Sequence, residues 1–275
     1  MTPPSSAPII PRPRERRQRV QAAETSIAVL KALGSLGGRA SLTLIATHID
    51  ESPAKVHRYL VSLIEGGLVD QDSATQQYFL GWETLQLGVS AMRQADPIRV
   101  AEASLIRLRE QLEITCFVAV MGNKGPTIIR FEEPGLPVTL NVRVGSVLPM
   151  LWSATGRALL ATLDDSNVLA LARAELQAAS PQQRAQLDAQ DPIGTLQQSV
   201  LAAGCAVVRD TNLPGISAIA APLYNYTGRP CAVLTALGAT GGFNPSPEGV
   251  VGQAVCREAQ IISRLLGHSA STTTA

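Results

Sequence analysis

The residues best equipped for chemistry lie between Ala54 and Ser62, where Lys55, His57, Arg58 and Ser62 recur on one side of a helical period. Lys and Arg donate to guanine acceptors or phosphate oxygens, Ser and His can do either, and a small Ala54 near the start lets a helix approach a thymine methyl. That set is suited to reading nucleic acid. Enzyme chemistry finds less material: the only histidines are His48, His57 and His268, so the long stretch between residues 58 and 267 offers no imidazole base. There is no GxSxG, no HExxH and no phosphate-cradling glycine loop. Asp164 with Asp165, and Glu132 with Glu133, fit a helix cap and a strand end better than two opposed catalytic acids. The four cysteines, Cys116, Cys205, Cys231 and Cys256, are far apart, with no CxxC and no nearby His pair. They predict buried free thiols, with no zinc site, no disulfide framework and no cofactor.

A face that reads DNA must be held by rigid elements, and the flanking spacings supply them. Ile27, Leu30 and Leu33 mark a helix stopped by Gly37 and Gly38. Ser41 then caps a short helix whose Leu42, Ile45, Ala46 and Ile49 form one apolar stripe. Ser52 caps the next, with Pro53 at its first position and Val56, Leu60, Leu63 and Ile64 as its buried stripe, before Gly66 and Gly67 end it. Two short amphipathic helices joined by so brief a turn predict a helix-turn-helix, against the alternative of a plain three-helix bundle with a solvated face. Apolar residues 68–69, a polar turn over 70–76 and a strand over 77–80 add a wing, with Tyr78 and Leu80 turned inward and Gln76 at the polar tip. The expected DNA contacts are Ser41, Ser52, Ala54, Lys55, His57, Arg58 and Gln76.

Charge is informative only when divided along the chain. The 275 residues carry a net +1. Residues 1–22 hold Arg12, Arg14, Arg16, Arg17 and Arg19 against Glu15, a net of +4. Residues 23–82 hold Lys31, Arg39, Lys55 and Arg58 against Glu24, Asp50, Glu51, Glu65, Asp70 and Asp72, a net of −2. Phosphate attraction therefore concentrates in the arm and in one helix. The arm is too poor in large apolar residues to fold, and is either a solvated tail or a segment that follows the DNA.

Beyond residue 82, Leu85, Val89 and Met92 share one helical face before Asp96 and Pro97 interrupt it. A single stripe of this length must pack, either on a second copy or on its own chain. Asp96 caps a further helix carrying Ala101, Leu105, Leu108 and Leu112. Strands are expected over 115–121 and 126–133, joined by a turn at Asn123, Lys124 and Gly125, and again over 137–142, 204–208, 216–224 and 230–237. A small-residue helix over 153–162 contains Gly156, helices continue over 165–203, and a last one runs over 247–266 to Gly267. Antiparallel hairpins with helices against one side imply an α+β sensor domain. The resulting division is a basic arm (1–22), a winged helix-turn-helix (23–82), a linker helix (83–95), a sensor domain (96–267) and a tail (268–275). Without an apolar run of about 18 residues or a signal-peptide core, the chain is expected in the cytoplasm with no membrane contact.

The order of these parts and four phrases resemble the IclR family of bacterial transcription regulators. The phrases are Ser52-Pro53-Ala54-Lys55-Val56-His57-Arg58-Tyr59-Leu60, then Tyr78-Phe79-Leu80-Gly81. The third is Gly145-Ser146-Val147-Leu148-Pro149 running into Ala154-Thr155-Gly156-Arg157-Ala158-Leu159-Leu160-Ala161, and the fourth spans residues 215–222. The resemblance implies a homodimer, or dimer of dimers, on palindromic double-stranded operator DNA. It also implies a GAF-like antiparallel-sheet domain that holds a small-molecule effector in a cup. One winged helix reads too few base pairs to be specific in a genome, which independently favours a two-fold assembly. By position the resemblance lines the cup with Pro137, Leu140, Ala154, Thr155, Val208, Ile216, Ala218, Thr235 and Leu237. Members that bind small keto acids have an acidic residue and a cysteine where this chain has Val208 and Ala218, and a hydroxyl where it has Leu237. Losing those polar groups makes a carboxylate harder to desolvate and predicts a larger, more apolar effector such as an aromatic acid, one carboxylate being received by the amides that open the Ala154 helix. The alternatives are that these positions are ordinary core, or that the second domain is an enzyme and the helix-turn-helix a protein-interaction module.

Overall fold

The computed structural model describes residues 20–94, 96–135 and 142–269. It divides into two compact units between Met92 and Arg93. The first contains α1 (Gln21–Ser35), β1 (Arg39–Ala40), α2 (Leu42–His48), α3 (Pro53–Glu65), β2 (Val69–Gln71) and β3 (Tyr78–Leu80), then leads into α4 (Trp82–Gln94). Val29, Leu33, Ile45, Val56, Leu60 and Val69 are fully buried at its centre. Burying each such side chain is worth about 1.5–3 kcal/mol, which is what holds three short helices together. The caps form as the sequence predicts: Ser41 Oγ accepts from the Leu44 amide at 3.3 Å and Ser52 Oγ from the Lys55 amide at 3.4 Å. β1 was not expected. Gly37 and Gly38, both at positive φ, turn the chain so that Arg39 and Ala40 pair with Phe79 and Tyr78, giving the wing a third strand in the order β1-β3-β2.

The second unit contains α5 (Pro97–Leu112), β4 (Thr115–Gly122), β5 (Gly125–Glu132), α6 (Ala154–Thr162), α7 (Ser166–Ala178), α8 (Pro181–Arg184), α9 (Pro192–Ala203), β6 (Ala206–Arg209), β7 (Ile216–Tyr224), β8 (Pro230–Ala239) and α10 (Val250–Leu265). The strands form one antiparallel sheet in the order β5-β4-β8-β7-β6. Helices on one side only, as expected from the hairpins, is incorrect. Cys116, Val118, Ile219 and Leu234 face α5 and α10, while Phe117, Ala119, Ala220 and Val233 face α6, α7 and α9. The physical reason is legible in β7, whose residues 217–223 are all buried: a sheet covered on both faces needs an unbroken apolar run, where a half-covered one alternates. Arg107 ties α5 to α10 through a 2.6 Å ion pair with the buried Glu258. The strand expected over 137–142 lies outside the described residues except for Val142, which is not in a strand. Residues 1–19 of the expected arm also lie outside them, whereas Gln21 and Ala22, expected in the arm, open α1. No helix among the described residues is long and apolar enough to cross a membrane.

Candidate effector cup and DNA-reading face

Sheet register builds the floor of a cavity in the second unit. Val208 pairs with Ala218, and Ala218 with Leu237, so three apolar side chains stand in one row across β6, β7 and β8. In the next row on the same face Ala220 pairs with Thr235, and Thr235 with Phe117. The two-residue period of a strand points both rows toward α6. α6 closes over them because its start is fixed tightly. Ser153 Oγ accepts from the Gly156 amide at 2.9 Å and donates to the Pro149 carbonyl at 2.6 Å, and a Cβ at Gly156 would overlap the backbone of Pro149 and Met150. Glu175 of α7 accepts from the amides of Met150 and Leu151 at 2.7 and 2.9 Å, holding that approach in place.

The remaining wall is the loop over 210–215. Asp210, at φ 53°, accepts through Oδ1 from the Gly215 amide at 2.7 Å and from Thr240 Oγ1 at 2.9 Å, while Thr211 Oγ1 donates to the Trp152 carbonyl at 2.8 Å. The cavity so enclosed measures about 50 Å³. Seven residues expected at the effector site, Ala154, Thr155, Val208, Ile216, Ala218, Thr235 and Leu237, are brought together around it. Pro137 and Leu140 lie outside the described residues. Sequence reasoning missed Phe117, Val142, Leu148, Ser153, Asn212 and Leu213, which also line it. The register partner of Thr235 would have found Phe117; a loop without periodicity gave no signal for Asn212 or Leu213.

Four neutral polar residues, Ser153, Thr155, Asn212 and Thr235, interrupt an otherwise apolar lining, and no ionisable side chain belongs to it among the described residues. Thr155 and Thr235, both buried, share a 2.8 Å hydroxyl–hydroxyl bond. Two hydroxyls use one proton between them, which leaves the second for a guest. One turn into α6, the Arg157 guanidinium donates to the carbonyls of Leu151 at 2.7 Å and Val207 at 3.3 Å. Burial draws its pKa down to about 10, so it keeps its positive charge at neutral pH.

In the first unit, Ala54, His57, Arg58 and Ser62 are exposed on α3, and neither His57 nor Arg58 has a side-chain partner among the described residues. Lys55 is half-buried and ion-paired with Glu51. Ser41 and Ser52 are exposed, their hydroxyl oxygens occupied by caps and their protons still available. Gln76, at φ 57°, is exposed at the wing tip and donates back to the Ser73 carbonyl at 2.8 Å. Sequence reasoning missed the latch of this wing: Arg39 lies over the Phe79 ring at 4.9 Å and donates to Asp72 at 2.8 Å. That bond, with the amides of Thr75 and Ala74, lowers the Asp72 pKa to about 2.

Two family models match this arrangement, the IclR helix-turn-helix domain over residues 22–73 and the bacterial transcriptional regulator IclR C-terminal domain over residues 89–264. The chain belongs to the IclR family of bacterial transcriptional regulators. It is a regulator and not an enzyme, with a helix-turn-helix that binds DNA and an IclR-type domain that binds a small molecule. It is 25% identical to the HTH-type transcriptional regulator BhcR of Paracoccus denitrificans over 249 residues, 89% of this chain and 86% of that protein. It is 26% identical to the repressor AllR of Klebsiella pneumoniae over 251 residues, 90% of each chain. Among solved structures it resembles HmgR of Pseudomonas aeruginosa with 35% identity and a TM-score of 0.83, covering 92% of this chain and 100% of that one. An IclR homologue from Microbacterium hydrocarbonoxydans, solved with 4-hydroxybenzoate, shares the fold at 18% identity and a TM-score of 0.51, over 90% of this chain and 100% of that one.

Proposed function

We propose that this IclR-family regulator is controlled by an aromatic or similarly apolar organic acid held in the cup beneath α6, whose binding changes affinity for operator DNA. The observation that carries the reading is the lining itself: Val208, Ala218, Leu237 and Phe117 form an apolar floor, and the polar groups are neutral hydroxyls and one amide. Such a lining favours a ring and serves a small dianion or keto acid poorly, because little offsets the desolvation of a bare charge. One carboxylate is accommodated by the spare Thr155/Thr235 proton and by the opening amides of α6, with Arg157 supplying positive potential from behind. The fold relative that carries 4-hydroxybenzoate supports this ligand class. An apolar cavity of about 150 Å³ accepts benzene, so a ring enters the present 50 Å³ space only as its walls move outward. The loop over 210–215 is the wall built from loop backbone and is assigned that movement.

DNA reading is assigned to residues 23–82, coupling to 83–95 and sensing to 96–267. Arg58, with His57, Ala54 and Ser62, reads base edges in the major groove. Lys55, Ser41, Ser52 and Gln76 position the phosphates. Dimerisation in the cytoplasm through α4 brings two recognition helices to half-sites about one DNA turn apart. Isothermal calorimetry against a panel of benzoates and short keto acids tests the cup. Micromolar or tighter binding of a benzoate, with glyoxylate and pyruvate at least about tenfold weaker, is expected. Tight binding of glyoxylate or pyruvate with none for any benzoate overturns the reading.

A further inference from the structure

The cup is assigned an acid as its guest, yet no ionisable side chain lines it among the described residues. By desolvation alone such a lining prefers the neutral molecule of the same shape, so an anion needs a fixed positive charge nearby. Arg157 is placed to supply it. It stands three residues beyond the lining Ala154, within about one turn of α6. Its guanidinium joins two segments that build the cup, donating through Nε to the Leu151 carbonyl at 2.7 Å and through Nη1 to the Val207 carbonyl at 3.3 Å. Val207 immediately precedes Val208 of the floor.

This guanidinium also lacks what its neighbours have. Arg107, Arg109 and Arg130 of the same unit each pair with a glutamate, at 2.6, 2.9 and 2.8 Å. Arg157 is half-buried and has no carboxylate partner among the described residues, and Glu175, which binds the same short segment, is committed to the amides of Met150 and Leu151. Buried cations are ordinarily paired, and two carbonyl dipoles offset the lost hydration only in part. The other cations next to the lining are solvated: Arg143 follows Val142 and Arg209 follows Val208, and both are exposed, Arg209 donating to Asn244 at 2.9 Å. Salt screens exposed charges of that kind far more than one held inside the protein. On the assignment of this cavity as the effector site, we infer that Arg157 is its charge-specificity residue. It makes an organic anion bind better than the neutral molecule of the same shape, acting through the first turn of α6 without touching the guest. The regulator then reports a free acid and ignores the amide or ester from which hydrolysis releases it.

The test is isothermal calorimetry of the full-length protein at neutral pH with the tightest-binding benzoate of the panel and with the corresponding benzamide. Wild type should bind the benzoate at least about tenfold tighter than the amide. Arg157→Gln keeps N–H donors for the carbonyls and loses the charge, so that preference should fall at least about tenfold while affinity for the amide changes by less than about threefold. Arg157→Lys, which keeps the charge, should restore most of the preference. Equal weakening of both ligands in Arg157→Gln makes Arg157 a mere brace and overturns the inference, as does an unchanged preference. Wild-type protein gives a second reading should the variants fail to fold. A preference set by Arg157 should survive a rise from about 0.1 to about 1 M salt within about threefold, whereas collapse to parity assigns it to exposed Arg143 or Arg209 and overturns the inference. Equal binding of benzoate and benzamide by wild type does the same. Binding of neither would sink the effector cup itself, which tells the two failures apart.

Discussion

Thr235 shows how much one hydroxyl can decide. The family resemblance alone placed it at the cup by position, and its bond to Thr155 joins positions 80 residues apart, which no local pattern announces. Thr235→Val keeps the shape and strands the Thr155 hydroxyl in an apolar cup, costing about 1–3 kcal/mol. The expected outcome is a lower urea midpoint and at least about tenfold weaker benzoate binding by calorimetry; unchanged affinity would place the ligand elsewhere. Asp72 and Arg39 make a second residue-scale case, 33 positions apart and equally silent in the sequence. The carboxylate sits near 2 against an ordinary 3.8, so its contribution to stability is fully present above about pH 4 and is lost as pH falls toward 2. The gap in urea midpoint between wild type and Asp72→Asn is therefore predicted at pH 7 and should shrink on acidification from pH 4. A gap that widens there contradicts the latch.

Elements were easier to read than contacts because caps and stops are local. Ser41, Ser52 with Pro53 and Asp96 with Pro97 each mark a helix start within one turn, and the structure places a cap at every one. β1 escaped because two residues show no period, and the second helical layer escaped because an apolar run over 216–223 is compatible with burial on one face or two until the partners are known. For α3 the prediction separates two cations that look equivalent in sequence. Arg58 is exposed and without a partner among the described residues, so Arg58→Ala should weaken specific operator binding by about 1–3 kcal/mol and relax base preference. Lys55 already pairs with Glu51, so Lys55→Ala should cost less and act equally on specific and random DNA. Gel shifts on both DNAs measure the split; equal losses for the two variants would contradict the assignment of base reading to Arg58.

At the scale of the whole molecule, the apolar face of α4 is the surface to which the proposed function assigns the joint of a dimer. Trp82, Leu85 and Met92 are exposed at 65%, 54% and 43%, which is unusual for side chains of their size on one short helix. Leu85→Glu should change the stability of the isolated subunit by no more than about 0.5 kcal/mol, yet shift the sedimentation coefficient toward monomer; an unaltered dimer would move the interface off α4. Coupling between cup and DNA is then a difference in free energy between two dimer arrangements, typically about 1–3 kcal/mol, and it must act in both directions. The most direct test is fluorescence anisotropy of an operator fragment recovered by enrichment from genomic DNA. The fragment is titrated with the full-length protein in the absence and presence of a saturating benzoate from the calorimetric panel. A change of at least about fivefold in operator affinity, absent on random DNA of the same length and absent in Thr235→Val, is predicted, whereas a benzoate that binds the protein and leaves operator affinity unchanged would contradict effector control through this cup.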